Sequence, residues 1–97
     1  MLKGKQRSYL KGLANKMKPI AQIGKNGITE SFISQLDDML ESKELIKVNI
    51  LETSLLDAKE AANELARLTN SEFVQAIGNK FVLYREAKEE PTIELPR

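Results

Sequence analysis

The chain has 97 residues, of which 41% are apolar and 30% charged, and its formal net charge at neutral pH is +1. This length suits one domain with a single core, and no run of about 18 apolar residues is present that could cross a membrane as a helix. The absence of cysteine and histidine excludes disulfides, thiolate chemistry, and the commonest general base and metal ligand. Because the first residues include no apolar stretch of the secretory type, we expect a cytoplasmic protein.

The charges are distributed unevenly along the chain. Residues 1–29 hold seven cations and no acid, whereas residues 30–97 hold eight cations and 14 acids, a balance of −6. An acid-free basic segment favours a surface that meets a polyanion, although a solvated basic helix would give the same pattern. The seven cations are Lys3, Lys5, Arg7, Lys11, Lys16, Lys18 and Lys25.

The first predicted element is a helix over residues 5–17. Its apolar residues recur at helical spacing and predict a buried face. They are Tyr9, Leu10, Leu13, Ala14 and Met17. Arg7, Lys11 and Lys18 fall within roughly 40° of one another, provided that the helix extends so far, which predicts a basic stripe beside the buried one. Pro19 disfavours helical geometry at the preceding residue and ends the segment.

The middle of the chain predicts a strand, a helix and a second strand. Residues 20–23 are apolar and bounded by proline and glycine, which indicates a short buried strand. Thr29 is a suitable N-cap for a second helix. Residues 44–51 alternate apolar and polar side chains, as in a strand with one face open to solvent.

The last third of the chain predicts a third helix and a hairpin. Asp57 can cap the start of the helix, and Asn70 suits its end. Gly78 and Asn79 separate two runs of strand-forming residues and predict a tight turn between antiparallel strands.

The order α-β-α-β-α-β-β predicts the fold class. Strands separated by helices imply parallel neighbours, and the last strand returns antiparallel through its hairpin. We therefore expect a two-layer α/β sandwich with a mixed four-stranded sheet. Residues 1–86 would form the domain, and residues 87–97, which are acidic and contain proline, would form a tail.

The segment GKNG, Gly24 to Gly27, has the composition of a backbone-binding loop. Glycine accepts positive φ and leaves room for a close approach, and the following helix points its free N–H groups toward the loop. Nucleic-acid-binding domains of the KH type clamp a nucleotide backbone with a GxxG loop of this kind. The spacing fits neither a Walker A loop nor a dinucleotide fingerprint. An ordinary strand-to-helix turn is the structural alternative.

Three blocks together resemble a known family. The segments MKPIAQIGKNGIT, ELIKVNI and FVQAIGNKFVLYR, in this order and spacing, are similar to the YhbY family, the stand-alone bacterial form of the CRM domain (chloroplast RNA splicing and ribosome maturation). The similarity extends from about Lys5 to Arg85. Lys43 departs from the family pattern, in which histidine is common before the second block.

The resemblance implies a fold, a partner and a set of contact residues. The fold would be like the C-terminal domain of translation initiation factor three, with strand order 1-2-4-3 and only the last strand antiparallel. The partners would be ribosomal RNA and precursors of the large ribosomal subunit. The resemblance and the charge pattern give these RNA-binding candidates: Gly24, Lys25, Asn26, Gly27, Arg7, Lys11, Lys18 and Arg85.

Other functions have less support in the residues. The acidic run Asp37, Asp38, Glu41 and Glu44 is expected on the outer face of the second helix, with no nucleophile or further ligand nearby. We therefore expect no enzyme activity, no metal or cofactor, no small-molecule substrate and no membrane partner, and we expect a monomer. The alternative function is a protein–protein adaptor that uses the acidic helix or the open sheet face.

Overall fold

The computed structural model describes residues 2–97 as three helices and one four-stranded sheet. The elements in chain order are α1 (Gly4–Ala14), β1 (Ala21–Ile23), α2 (Glu30–Lys43), β2 (Leu45–Ile50), α3 (Ala58–Thr69), β3 (Glu72–Ile77) and β4 (Lys80–Tyr84). This order and the mixed sheet confirm the predicted α/β fold. The predicted caps are also confirmed, because the side chains of Thr29 and Asp57 each accept a backbone N–H bond at 3.1 Å in the first helical turn.

The sheet order is β1-β2-β4-β3, as the resemblance implies. β1 is parallel to β2, and β4 is antiparallel to both of its neighbours. Gly78 has a φ of 60° and makes the tight turn between β3 and β4. The pairings Ile23–Ile50 and Asn49–Lys80 bring the connections after β1, after β2 and between β3 and β4 to the same end of the sheet, which we call the loop end.

Both faces of the sheet are covered, which refines the two-layer prediction. α2 and α3 pack on one face, where Leu36, Leu40 and Leu65 meet Ile46, Val48, Phe81 and Leu83. α1 packs on the opposite face, where Leu10 and Ala14 meet Leu45, Val74, Val82 and Tyr84. The face of β2 that we expected to be open therefore lies partly under α1. Its Lys47 ammonium donates to the Ala14 and Met17 carbonyls at 3.2 Å.

α1 is shorter than predicted and its buried stripe is narrower. The helix ends at Ala14, and Lys18 lies beyond it, so the stripe of Arg7, Lys11 and Lys18 on one helix is wrong. Tyr9 is 43% exposed and Leu13 36% exposed, although both were expected in the core. The reason is that the sheet covers only one face of the helix, so the stripe through Leu10 and Ala14 is buried while Tyr9 and Leu13 face away from it.

The C-terminal segment forms neither helix nor strand, but it packs against the domain. Ile93 and Leu95 are half-buried against the α1 face. The Arg97 carbonyl accepts from Lys5 Nζ at 2.8 Å, and the Pro96 carbonyl accepts from Gln6 Nε2 at 3.2 Å. The segment therefore contacts the sheet and the start of α1, and the division at residue 86 stays a prediction.

Glu44 anchors this segment from the end of α2. The side chain was predicted on the outer helix face, which is wrong, since the residue is only 1% exposed. Its carboxylate accepts the backbone N–H groups of Ala87, Thr92 and Ile93 at 2.7–2.9 Å, together with the Thr92 hydroxyl. Burial raises the pKa of this carboxyl, but the hydrogen bonds outweigh burial and leave the pKa below its ordinary value.

Candidate functional site

The Gly24–Gly27 loop is a tight turn at the loop end of the sheet. The Gly27 N–H donates to the Gly24 carbonyl at 3.0 Å, and Gly27 has a φ of 68°. Lys25 and Asn26, at the tip of the turn, are exposed. Within residues 2–97, no carboxylate pairs with Lys25. The tip therefore presents a free ammonium and an amide to solvent.

The β2–α3 connection supports this turn from beneath. The Leu51 N–H donates to the Ile23 carbonyl at 2.9 Å, which continues the parallel pairing of β1 and β2 to the start of the turn. A methyl group at Gly24 would lie 3.8 Å from Leu51, and one at Gly27 would lie 4.0 Å from Leu56. Both positions have room for a methyl group, so any difference between alanine substitutions there must come from the backbone conformation, which has positive φ only at Gly27.

Alanine substitutions at the two glycines should therefore differ. Gly27→Ala should lower the free energy of unfolding by about 1–2 kcal/mol, because an L-residue is strained at positive φ. Gly24→Ala should change it by less than about 0.5 kcal/mol, because Gly24 is outside that region. Urea unfolding of both variants checks the difference, and equal losses would contradict the assigned turn geometry.

The β3–β4 turn lies at the same end of the sheet. The Asn79 carbonyl accepts from the Ile50 N–H at 2.7 Å, and Asn79 Nδ2 donates to the Ile50 carbonyl at 3.1 Å. These two bonds hold the turn against the end of β2. The segment IGN, Ile77 to Asn79 in the third block of the family resemblance, therefore lies at the end of the sheet that carries the glycine loop, although 50 residues separate the two in sequence.

The cations of α1 face the outer strand β3. Arg7 Nε donates to the Phe73 carbonyl at 3.3 Å, which leaves its two terminal nitrogens without a partner in the described part of the chain. Arg7 and Lys11 line an open groove of about 590 Å³ along β3, together with Lys59 of α3. Lys18 is exposed in the connection from α1 to β1. Arg7, Lys11 and Lys59 therefore share the side of the molecule formed by α1 and β3, whereas Lys18 precedes β1, at the opposite edge of the sheet.

Arg85 lies at the opposite end of the sheet from the glycine loop. Its guanidinium donates to the Asp37 carboxylate and carbonyl and to the Thr69 carbonyl, the last at 2.8 Å. The side chain is 15% exposed and forms an ion pair with Asp37, so we leave Arg85 out of the candidate surface. The adjacent Tyr84 is 4% exposed and belongs to the core, and burial beside Glu44 and Glu86 raises its pKa.

Two cations that line grooves beside β3 were not predicted from the sequence. Lys59 is on α3, and only the packing of α3 against β3 brings it to the groove of Arg7 and Lys11. Lys80 follows the IGN segment directly and lines a smaller groove with Lys47. Its position beside a segment already singled out could have identified Lys80, whereas nothing near Lys59 in the sequence could have done so.

Two other classes of site are absent from the described residues. Among residues 2–97, no group of three or more acidic side chains is placed to hold a metal ion. In the same residues, none of the helices has the length and apolar character needed to cross a membrane.

Comparison with known proteins gives consistent matches. The model of the CRS1 / YhbY (CRM) domain family matches residues 2–85. The Bacillus subtilis protein named "Probable RNA-binding protein YqeI" is 44% identical over 96 residues, which cover 99% of this chain and 100% of that protein. A Haemophilus influenzae protein named "RNA-binding protein" is 38% identical over 96 residues, 99% of this chain and 96% of that protein. The solution structure of a hypothetical protein from Staphylococcus aureus is 54% identical, with a TM-score of 0.82 and coverage of 99% of this chain and 100% of that one.

Proposed function

We propose, from the premise that the chain belongs to the CRS1 / YhbY (CRM) domain family, that it is an RNA-binding protein without enzymatic activity. The names of its relatives support RNA as the ligand. The observation that carries the proposal is the glycine loop, since its tip is exposed, free of carboxylates and beside the positive end of α2. Such a turn offers an ammonium, an amide and close backbone approach to a phosphate.

The surrounding charge supports a surface larger than the loop. Arg7 and Lys11 lie on the α1 side of the sheet, Lys18 lies in the connection from α1 to β1, and Lys80 lies at the loop end beside the β3–β4 turn. Cations that lack acidic partners attract a polyanion over several phosphates. We therefore infer that the RNA backbone crosses the loop end of the sheet and continues toward α1.

The resemblance extends the proposal to a particular RNA. In the proposed role, the protein binds ribosomal RNA as a monomer, on precursors of the large ribosomal subunit, and assists their assembly. Crosslinking in cells, followed by sequencing of the attached RNA, tests this role. Enrichment of one region of large-subunit ribosomal RNA is expected, whereas an even distribution over messenger RNA would contradict it.

The loop assignment predicts the effect of a charge reversal. Lys25→Glu should raise the dissociation constant by about tenfold across unrelated RNA sequences, because a phosphate contact is lost without any base contact. Fluorescence anisotropy with several labelled RNAs checks this. Lys43→Glu is the matched control, since Lys43 is exposed at the far end of α2 from the loop. Equal effects of the two reversals would show that overall charge, not the loop, determines binding.

Part of the surface that a protein–protein adaptor would use is already occupied by contacts within the domain. Asp37 and Glu41 on the acidic helix already face Arg85, at 2.5 and 3.9 Å. The sheet face that would bind a protein is partly covered by α1 and the C-terminal segment. A salt-tolerant protein complex with no retention of RNA would favour the adaptor over the proposed function.

A further inference from the structure

α1 leaves part of its face of the sheet uncovered at the loop end. The strand register places Gln22 beside Asn49, Asn49 beside Lys80, and Lys80 beside Ile77, one residue from each strand. Directly paired residues point to the same face of a sheet, so the four side chains form a row across it. We call Gln22, Asn49, Lys80 and Ile77 the sheet row.

The sheet row faces the α1 side. Side chains two positions apart on a strand share a face, and Lys47 and Val82, two positions from Asn49 and Lys80, both contact α1 or its C-terminal turn. Gln22 is exposed, Ile77 is 65% exposed, and the two middle members are half-buried. The row is therefore the part of this face that α1 does not reach.

Two grooves meet at one end of the row. A groove of about 160 Å³ is lined by Asn15, Lys47, Gln75, Ile77, Lys80 and Val82. The larger groove of Arg7, Lys11 and Lys59 shares Gln75 and Ile77 with it. The lining of both grooves includes five cations and no carboxylate among the described residues. The positive charge of the two grooves favours a polyanion as their ligand.

Gln22, Asn49 and Ile77 of the sheet row match bases better than phosphates, whereas Lys80 supplies positive charge. Two amides supply both donors and acceptors, which a base edge requires and a phosphate does not. Asn49 Oδ1 is shielded and has no hydrogen-bond partner within residues 2–97, so a rotation of this half-buried amide toward a donor on a ligand would satisfy it. Ile77 offers an apolar contact for the face of a base. Because its side chain is largely exposed, it contributes little to the packing of the domain.

We propose that the sheet row binds unpaired nucleobases of a single-stranded RNA segment whose backbone lies on the Gly24–Gly27 loop. This inference rests on the proposed function and adds base contact to it. Four strands at a spacing of about 4.8 Å make the row about 14 Å long. That length suits about two or three bases, the number that the four-stranded sheet of the RRM fold stacks.

A comparison of RNA with and without bases tests the proposal. The probes are a labelled oligouridine of about 12 nucleotides and a ribose-phosphate chain of equal length that lacks the bases. The native protein should bind the oligouridine about tenfold more tightly than the abasic chain. The double variant Gln22→Ala, Ile77→Ala should lose most of this preference, because it keeps the cations and removes the two exposed members of the sheet row.

The matched control is Gln35→Ala, Leu68→Ala, an exposed amide on α2 and an exposed leucine on α3. This control should keep the tenfold preference, and the thermal unfolding of both double variants should resemble that of the native protein. If the sheet-row variant keeps the preference, or if the native protein binds both probes equally well, the base-binding proposal is overturned and the proposed function stands. If the native protein binds neither probe, nor any structured RNA, the proposed function itself fails.

Discussion

Raising the salt concentration from about 50 to 200 mM should weaken RNA binding by roughly two orders of magnitude. Five cations on the proposed surface have no carboxylate partner in the described part of the chain. They are Arg7, Lys11, Lys18, Lys25 and Lys80. Each phosphate that they neutralise releases condensed counterions, so about five contacts give a log–log salt slope of about −3.5 to −4.5.

Titrations at several salt concentrations give this slope directly. Lys25→Gln and Lys80→Gln should each reduce its magnitude by about 1, because each removes one phosphate contact. Lys43→Gln should leave it unchanged, since that residue lies at the end of the sheet away from the loop. A binding constant that hardly varies between low and moderate salt would contradict a phosphate-binding surface of this size.

Glu44→Gln should lower the free energy of unfolding by about 2 kcal/mol. The carboxylate accepts three backbone N–H groups and one hydroxyl, and a glutamine would turn an NH₂ group toward at least one of these donors. For a domain of this size the midpoint of thermal unfolding should fall by about 8–16 °C. Amide exchange at Ala87, Thr92 and Ile93 should accelerate, because the C-terminal segment loses its anchor.

The pH dependence of stability provides a second test at this residue. The folded-state pKa of Glu44 is below its ordinary value of 4.5, so its contribution is complete above that pH and is lost as the pH falls through the folded-state pKa. The stability difference between the native protein and Glu44→Gln should therefore narrow in acid. Glu64→Gln is the control, because Glu64 forms an exposed ion pair with Arg67, and it should cost less than about 1 kcal/mol. A difference between native protein and Glu44→Gln that stays constant down to pH 3 would contradict the anchor.

Most of the fold could be predicted because its determinants are local. Thr29 and Asp57 cap helices through bonds to residues three positions away, and Asn70 ends α3 in the left-handed conformation. Gly78 makes a turn that depends on its own φ. The order of the strands was predicted only through the family resemblance, and their register only the structure shows, since pairing across the sheet joins distant residues.

The errors concern side chains whose surroundings come from distant parts of the chain. Periodicity placed Tyr9 and Leu13 in the core, but among the described residues the sheet covers only one face of α1 and leaves both side chains in contact with solvent. Glu44 belongs to an acidic run that is typical of a solvated helix face. The C-terminal segment from Ala87 to Ile93 nevertheless packs against it and donates its hydrogen bonds. Arg85 was a candidate for RNA contact, and its ion pair with Asp37, 48 residues away, is visible only in the structure.

The sequence by itself determined the order of the elements, the exposed glycine turn and the excess of cations near the start of the chain, because turns, caps and net charge depend on neighbouring residues. Only the tertiary structure decided which cations share a surface and which side chains remain uncovered. Lys59 and Lys80 join the cations of α1, and Gln22 comes into line with Ile77, through strand pairing and helix packing between residues that are far apart in the chain.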